Sequence, residues 1–215
     1  MQMTLANRLT LLRLALVPAF MAFMVFDSLW TRILSLLIFI GASITDWYDG
    51  AVARRTGTIT VIGTFLDPLV DKMLIAAALV GFVELRELHI PAWMVVLIIS
   101  REFLITGLRS LAASRGIVMA SERVGKFKMT SQITAIITIL VILIINAAFD
   151  RWPQLQPLPH EGWPVILAAV LERTPFWLVF WVTFLTVVSG FLYLRKYKDL
   201  LRTEFSMLRM RTPDE

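Results

Sequence analysis

Six stretches of the chain stay apolar for about 20 residues, the length a helix needs to cross a bilayer. They cover 8–27, 30–53, 65–86, 91–113, 128–149 and 174–195. Several carry their charges near one end only, so each apolar block has a polar rim. The pattern predicts an all-α integral membrane protein of six transmembrane helices, folded as a single domain over 1–215. No internal repeat or low-complexity run divides the chain. The first block follows Arg8 and Arg13 and ends at Phe26-Asp27-Ser28 without a small-residue cleavage site, so it reads as a retained span rather than a signal peptide.

The distribution of Lys and Arg sets the expected orientation. One side collects Arg8 and Arg13, then Arg54 and Arg55, then Arg115, Arg123, Lys126 and Lys128, and finally Arg195, Lys196, Lys198 and Arg202. The other side holds only Arg32, Arg86, Arg151 and Arg173. Both termini are therefore expected in the cytoplasm, with the protein in the cell's inner membrane. Between 146 and 175, Pro153, Pro157, Pro159, Pro164 and Pro175 are expected to interrupt any long helix. An outer loop with a short interfacial helix near Trp163 to Leu171 is the predicted form, and Trp152, Trp163 and Trp177 suit a membrane-surface belt.

Composition narrows the chemistry. Hydrophobic residues make up 58% and charged residues 17%, too apolar a balance for an ordinary soluble domain. The absence of cysteine excludes disulfides, thiolate metal sites and a cysteine nucleophile. His89 and His160 are too far apart in sequence to form a metal-binding pair, so a metal here must be held by carboxylates. The net charge of +5 is explained by cytoplasmic cations facing anionic lipid headgroups, and no nucleic-acid partner is expected.

Four carboxylates stand where a membrane protein tolerates them poorly. Asp46 and Asp49 lie at the end of the second block, and Asp67 and Asp71 at the start of the third. Carboxylates at such positions need a compensating partner, and a divalent cation supplies one. Separations of three and four residues put each pair on one helical face. Pro68 is expected in a first turn, which would start the third helix close to Asp67. Oxygen-only ligands favour Mg2+ or Mn2+, which commonly bind together with substrate phosphates. Small residues at Gly50, Ala53, Gly57 and Gly63 leave room for a ligand, and Arg54 offers a planar charge to phosphate. Each feature alone has a plainer reading, as a helix cap, a packing residue or a topology signal.

Their combination is specific. The pattern Asp-x-x-Asp-Gly-x-x-Ala-Arg, eight residues, then Gly-x-x-x-Asp-x-x-x-Asp runs from Asp46 to Asp71, and resembles the signature of the CDP-alcohol phosphotransferase family at every fixed position. The resemblance implies that Asp46, Asp49, Asp67 and Asp71 hold two divalent cations, with Asp71 also the general base. It implies that Gly50, Ala53, Arg54 and Gly63 contact the CDP moiety. The implied fold is six transmembrane helices, commonly as a homodimer.

Further segments resemble the bacterial branch of that family that makes phosphatidylglycerol phosphate. They are Asn7 to Arg13, Arg101-Glu102-Phe103-Leu104 with Gly107-Leu108-Arg109, and Gly125 to Thr130, where Met129 displaces the branch's threonine by one place. The implied substrates are CDP-diacylglycerol and glycerol 3-phosphate. A dianionic acceptor needs cations, and Arg101, Arg109 and Lys126 are available for its phosphate. Arg101 has a second reading, as an ion-pair partner of Glu102 or of a site aspartate. Lys126 and Lys128 have one too, as topology signals. Another acceptor, such as an inositol phosphate, stays open. A cation transporter is disfavoured because the aspartates gather at one surface rather than at mid-membrane.

The orientation has a direct check in this cysteine-free chain. Trp163→Cys is expected to react with an impermeant thiol reagent in intact cells, and Lys198→Cys only after permeabilisation. The opposite pattern would invert the topology.

Overall fold

The computed structural model describes residues 5–56, 61–114, 123–152 and 163–198, with side chains described over 11–45, 72–110, 112–113, 125–152 and 169–198. Among the described residues the secondary structure is entirely helical. The helices are α1 (Leu5–Val25), α2 (Leu29–Thr56), α3 (Val61–Glu84), α4 (Ala92–Ser114), α5 (Arg123–Arg151) and α6 (Trp163–Lys196), with a 3₁₀ turn at Arg86–Leu88 between α3 and α4. Each of the six predicted apolar blocks falls within, or within two residues of, one of these helices.

Three boundaries differ from expectation. α3 begins at Val61, so Pro68 lies inside the helix and not in its first turn. α6 begins at Trp163 and runs unbroken through Pro164 and Pro175, where a loop and a separate interfacial helix were expected. Pro164 sits in the first turn of α6, where its missing N–H is not needed. Pro175 costs one helical hydrogen bond, and beside it Thr174 Oγ1 donates to the Val170 carbonyl. Helices in lipid continue through proline because neighbouring side chains and local adjustments satisfy the freed carbonyl. The third difference is at α5, which starts at Arg123 and so carries Lys126 and Lys128 on its opening turns rather than in a loop. Of the outer segment expected over 146–175, residues 146–151 continue α5 and 163–175 belong to α6, while 153–162 lie outside the described residues.

α1 packs on α2 and α3, α6 packs on α4 and α5, and contacts of α2 with α5 and of α3 with α4 join the two groups. The contacting positions recur at helical spacing: Leu74, Ala78 and Phe82 on α3, Ile136, Ile139, Leu140 and Leu143 on α5, Val179 and Val182 on α6. Phe20 of α1 meets Phe39 of α2 with ring centroids 6.0 Å apart, a tilted aromatic pair. Large apolar side chains also cover the outside, among them Phe103, Phe180, Trp181, Phe184 and Phe191. So apolar an exterior suits lipid rather than water. Among the described residues, Gly125–Arg151 and Ala169–Lys196 are each long and apolar enough to cross a membrane. α4 is broken as an apolar run by Arg101, Glu102 and Arg109, all of which face one cavity.

One buried charge fastens the end of the bundle near the α1–α2 turn. Arg32 is about 5% exposed; its Nη2 donates to Asp27 Oδ1 at 2.7 Å and to Glu87 Oε1 at 2.8 Å. Its Nη1 reaches the Leu143 carbonyl of α5 at 3.5 Å. A single guanidinium thus joins the α1–α2 turn, α2, the 3₁₀ turn and α5. Arg32→Ala is expected to lower the thermal midpoint in detergent, at a cost of about 1–3 kcal/mol for the lost charge-assisted bonds. Arg32→Lys should lose less, since an ammonium keeps the charge without the planar fork. An unchanged midpoint in the alanine variant would show that this contact does not hold the bundle.

Candidate active site

The predicted site residues divide between α2, α3, α4 and α5. Asp46, Asp49, Gly50, Ala53 and Arg54 occupy the last turns of α2, and Gly63, Asp67 and Asp71 the first turns of α3. Their backbone is helical, so Asp46 with Asp49, and Asp67 with Asp71, are neighbours on a helix face. Their side chains lie outside the described residues, as does that of Arg8. Four carboxylates on two helices would give an all-oxygen donor set, which fits Mg2+ or Mn2+. Lys72, directly after Asp71, is described, and it lines a cavity of about 160 Å³.

That cavity brings Arg101, Arg109 and Lys126 together. Among the described residues, Lys128 and Lys72 complete a set of five cationic side chains lining the cavity beside one carboxylate, Glu102. Such a pocket attracts anions, because closely spaced like charges in a poorly hydrated site repel until a counter-charge enters. Gln132, Ser189, Thr106 and Tyr193 add hydrogen-bonding groups to its wall. Ile75 and Ile105 supply the apolar part.

Glu102 is the hub of the cluster. Its Oε1 accepts from Arg101 Nη1 at 3.0 Å and from Lys128 Nζ, and its Oε2 lies 3.5 Å from Lys72 Nζ. The reading of Arg101 as an ion-pair partner of Glu102 is therefore the contact seen. Arg101 Nη2 also donates to Ser189 Oγ of α6 at 2.8 Å, and Ser189 Oγ donates to the Thr186 carbonyl at 3.2 Å. α6 can approach so closely because residue 190 is glycine: a Cβ there would stand 3.1 Å from Arg101 Cγ. Arg101 is thus held from two sides, whereas Arg109 and Lys126 are exposed at the cavity wall.

Among the described residues, two buried donors at this wall, Arg101 Nε and Gln132 Nε2, meet no hydrogen-bond partner. Buried donors of this kind are uncommon and mark a place where an acceptor belongs. Together with the cation excess, they fit a ligand rich in anionic oxygen.

Sequence reasoning gave no role to Lys72, Thr106, Gln132, Ser189 or Tyr193. Gln132 lies four residues after Lys128, a helical spacing that could have flagged it once α5 was known to begin before Lys126. Ser189 and Tyr193 share that spacing on α6, but a hydroxyl in an apolar span looks the same whether it packs or binds.

The chain matches the model of the family described as CDP-alcohol phosphatidyltransferase over residues 3–188. It is 39% identical over 213 residues to the CDP-diacylglycerol–glycerol-3-phosphate 3-phosphatidyltransferase of Bacillus subtilis, covering 93% of this chain and 97% of that protein. The enzyme of the same name from Salmonella typhimurium is 35% identical over 174 residues, 73% of this chain and 93% of that one. A probable phosphatidylglycerophosphate synthase of Mycobacterium tuberculosis is 43% identical over 135 residues, 61% of this chain and 63% of the relative.

Proposed function

The chain belongs to the CDP-alcohol phosphatidyltransferase family, and on that footing we propose that it transfers the phosphatidyl group of CDP-diacylglycerol to glycerol 3-phosphate, giving phosphatidylglycerol phosphate and CMP. The observation that carries the choice of acceptor is the cavity whose described lining carries five cations and one carboxylate, beginning at the residue after Asp71. A neutral alcohol has no use for such a charge excess; a phosphorylated one does.

In this reading Arg109 and Lys126 bind the acceptor's phosphate from the exposed wall of the cavity, and Arg101, held by Glu102 and Ser189, backs them. Gln132 donates to a further oxygen. Binding the phosphate there turns the acceptor's 1-hydroxyl toward α3, where Asp71 takes its proton. The freed oxygen attacks the β-phosphorus of CDP-diacylglycerol; the new P–O bond forms as the bond to CMP breaks. Gly50, Ala53, Arg54 and Gly63 accommodate the CDP moiety. Asp46, Asp49, Asp67 and Asp71 would hold two Mg2+ or Mn2+ ions, whose charge neutralises the pyrophosphate and its leaving oxygen. Charge and positioning supply most of the acceleration in such transfers, and no protein nucleophile is required.

The six helices are taken as six spans of one domain, in the inner membrane, with both termini and the site on the cytoplasmic side and two chains forming a homodimer. The cation bias along the sequence supports the orientation. CMP and glycerol 3-phosphate are water-soluble, which suits a site at the membrane surface facing the cytoplasm.

The deciding experiment assays purified protein with CDP-diacylglycerol and a panel of acceptors while following CMP release. Glycerol 3-phosphate is expected to be used in preference to glycerol and inositol phosphate; preference for either of the others would overturn the acceptor. Arg109→Ala should raise the apparent KM for glycerol 3-phosphate by about ten- to a hundredfold, the loss of a charge-assisted bond, and spare that for CDP-diacylglycerol. Arg109→Lys should recover part of the loss.

The metal and base roles have their own readout. Asp71→Asn is expected to abolish turnover while retaining CDP-diacylglycerol binding, because the amide cannot take the proton. Asp46→Ala should shift activity to higher metal concentration or eliminate it. Wild-type turnover in excess chelator would remove the metal from the reaction.

A further inference from the structure

The cations of the cavity come from three helices and would repel one another without a shared counter-charge. Lys128 is about 3% exposed and Glu102 about 13%, so neither charge is held by water. An unpaired ammonium at that depth would lose its proton or turn away. What keeps Lys128 charged and pointing inward is Glu102, whose carboxylate is also bound to Arg101 and close to Lys72.

We propose that Glu102 is the positioning residue of the acceptor pocket: by joining Lys72 of α3, Arg101 of α4 and Lys128 of α5 it fixes the distance between the phosphate-binding cations and the carboxylate that takes the proton. The inference rests on the cavity being the glycerol 3-phosphate site. Lys72 directly follows Asp71, Lys128 is two residues from Lys126, and Arg101 shares α4 with Arg109. Glu102 is therefore the point where the helix of the chemistry meets the helices of phosphate recognition. The acceptor has its reacting hydroxyl at one end of a three-carbon chain and its phosphate at the other. A phosphate held slightly too near or too far carries the hydroxyl out of line, and misplacement by about 1 Å can cost on the order of a hundredfold in rate.

Positioning and simple charge balance predict opposite signs. Glu102→Gln removes a negative charge from an anion pocket, so by Coulomb attraction alone the dianion should bind more tightly. If Glu102 positions the cations, binding weakens despite the added positive charge. Glu102→Gln and Glu102→Asp would be purified, checked for a folded, monodisperse state in detergent, and assayed with each substrate varied separately. Glu102→Gln is expected to raise the KM for glycerol 3-phosphate about tenfold. Its kcat is expected to fall by on the order of a hundredfold, and the KM for CDP-diacylglycerol to change little. Glu102→Asp keeps the charge but is one methylene shorter, and should recover part of both losses. A glycerol 3-phosphate KM at or below the wild-type value in Glu102→Gln overturns the proposal, as does an equal rise in both KM values. If Glu102→Gln does not fold, the same two constants measured on Glu102→Asp decide. A wild type that ignores glycerol 3-phosphate sinks the acceptor assignment instead, whereas an unchanged Glu102→Gln beside a competent wild type sinks only the role of Glu102.

Discussion

Keeping a charge away from water is costly, and this bundle is arranged around that cost. Two ionic clusters show how it is met. Arg32 gathers Asp27, Glu87 and the Leu143 carbonyl at one end. Glu102 gathers Arg101, Lys128 and Lys72 toward the other. Leu143 and Lys128 both lie on α5, roughly 22 Å apart at 1.5 Å rise per residue. Apolar contacts among helices contribute less orientation in lipid than in water, because the surrounding chains are as apolar as leucine. Charged contacts across helices are directional, and they set how the helices face one another at both ends.

The two clusters differ in composition. At Arg32 one cation meets two carboxylates that retain contact with solvent. At Glu102 the ratio is reversed among the described residues, with three cations on one carboxylate. The first arrangement suits a fastening and the second a binding site, although both are built from the same residue types. α6 closes over Arg101 through small groups, the absent Cβ of Gly190 and the hydroxyl of Ser189.

Much of this was legible in the sequence. Apolar block length located all six helices, since a bilayer imposes a minimum length that little else in a chain of this size produces. The aspartate pairs stand out because carboxylates in such a setting need a partner, though their side chains lie outside the described residues; Arg101 stood out for the same reason, and its contact with Glu102 is the one found. Proline was misread at Pro68 and Pro175, because rules calibrated in water overstate its power to end a helix in lipid. Gln132, Ser189 and Tyr193 escaped notice because their importance depends on which helix lies opposite, a relation between α4, α5 and α6 that no local pattern encodes. Glu102 was visible as a charge, but its hub role depends on Lys72 and Lys128 arriving from elsewhere in the chain.

The surplus of positive charge around Glu102 also links the enzyme's fold to its surroundings. Like charges lining the cavity repel one another where Glu102 does not compensate them, and the unfolded chain, with those groups spread apart in water, does not share that penalty. An anion that enters only the native cavity relieves it, and by mass action any such binding shifts the folding equilibrium toward the native form. An oxyanion that fits the cavity would therefore make the apparent stability depend on the buffer, and phosphate or sulfate in a purification would act as a thermodynamic variable in its own right.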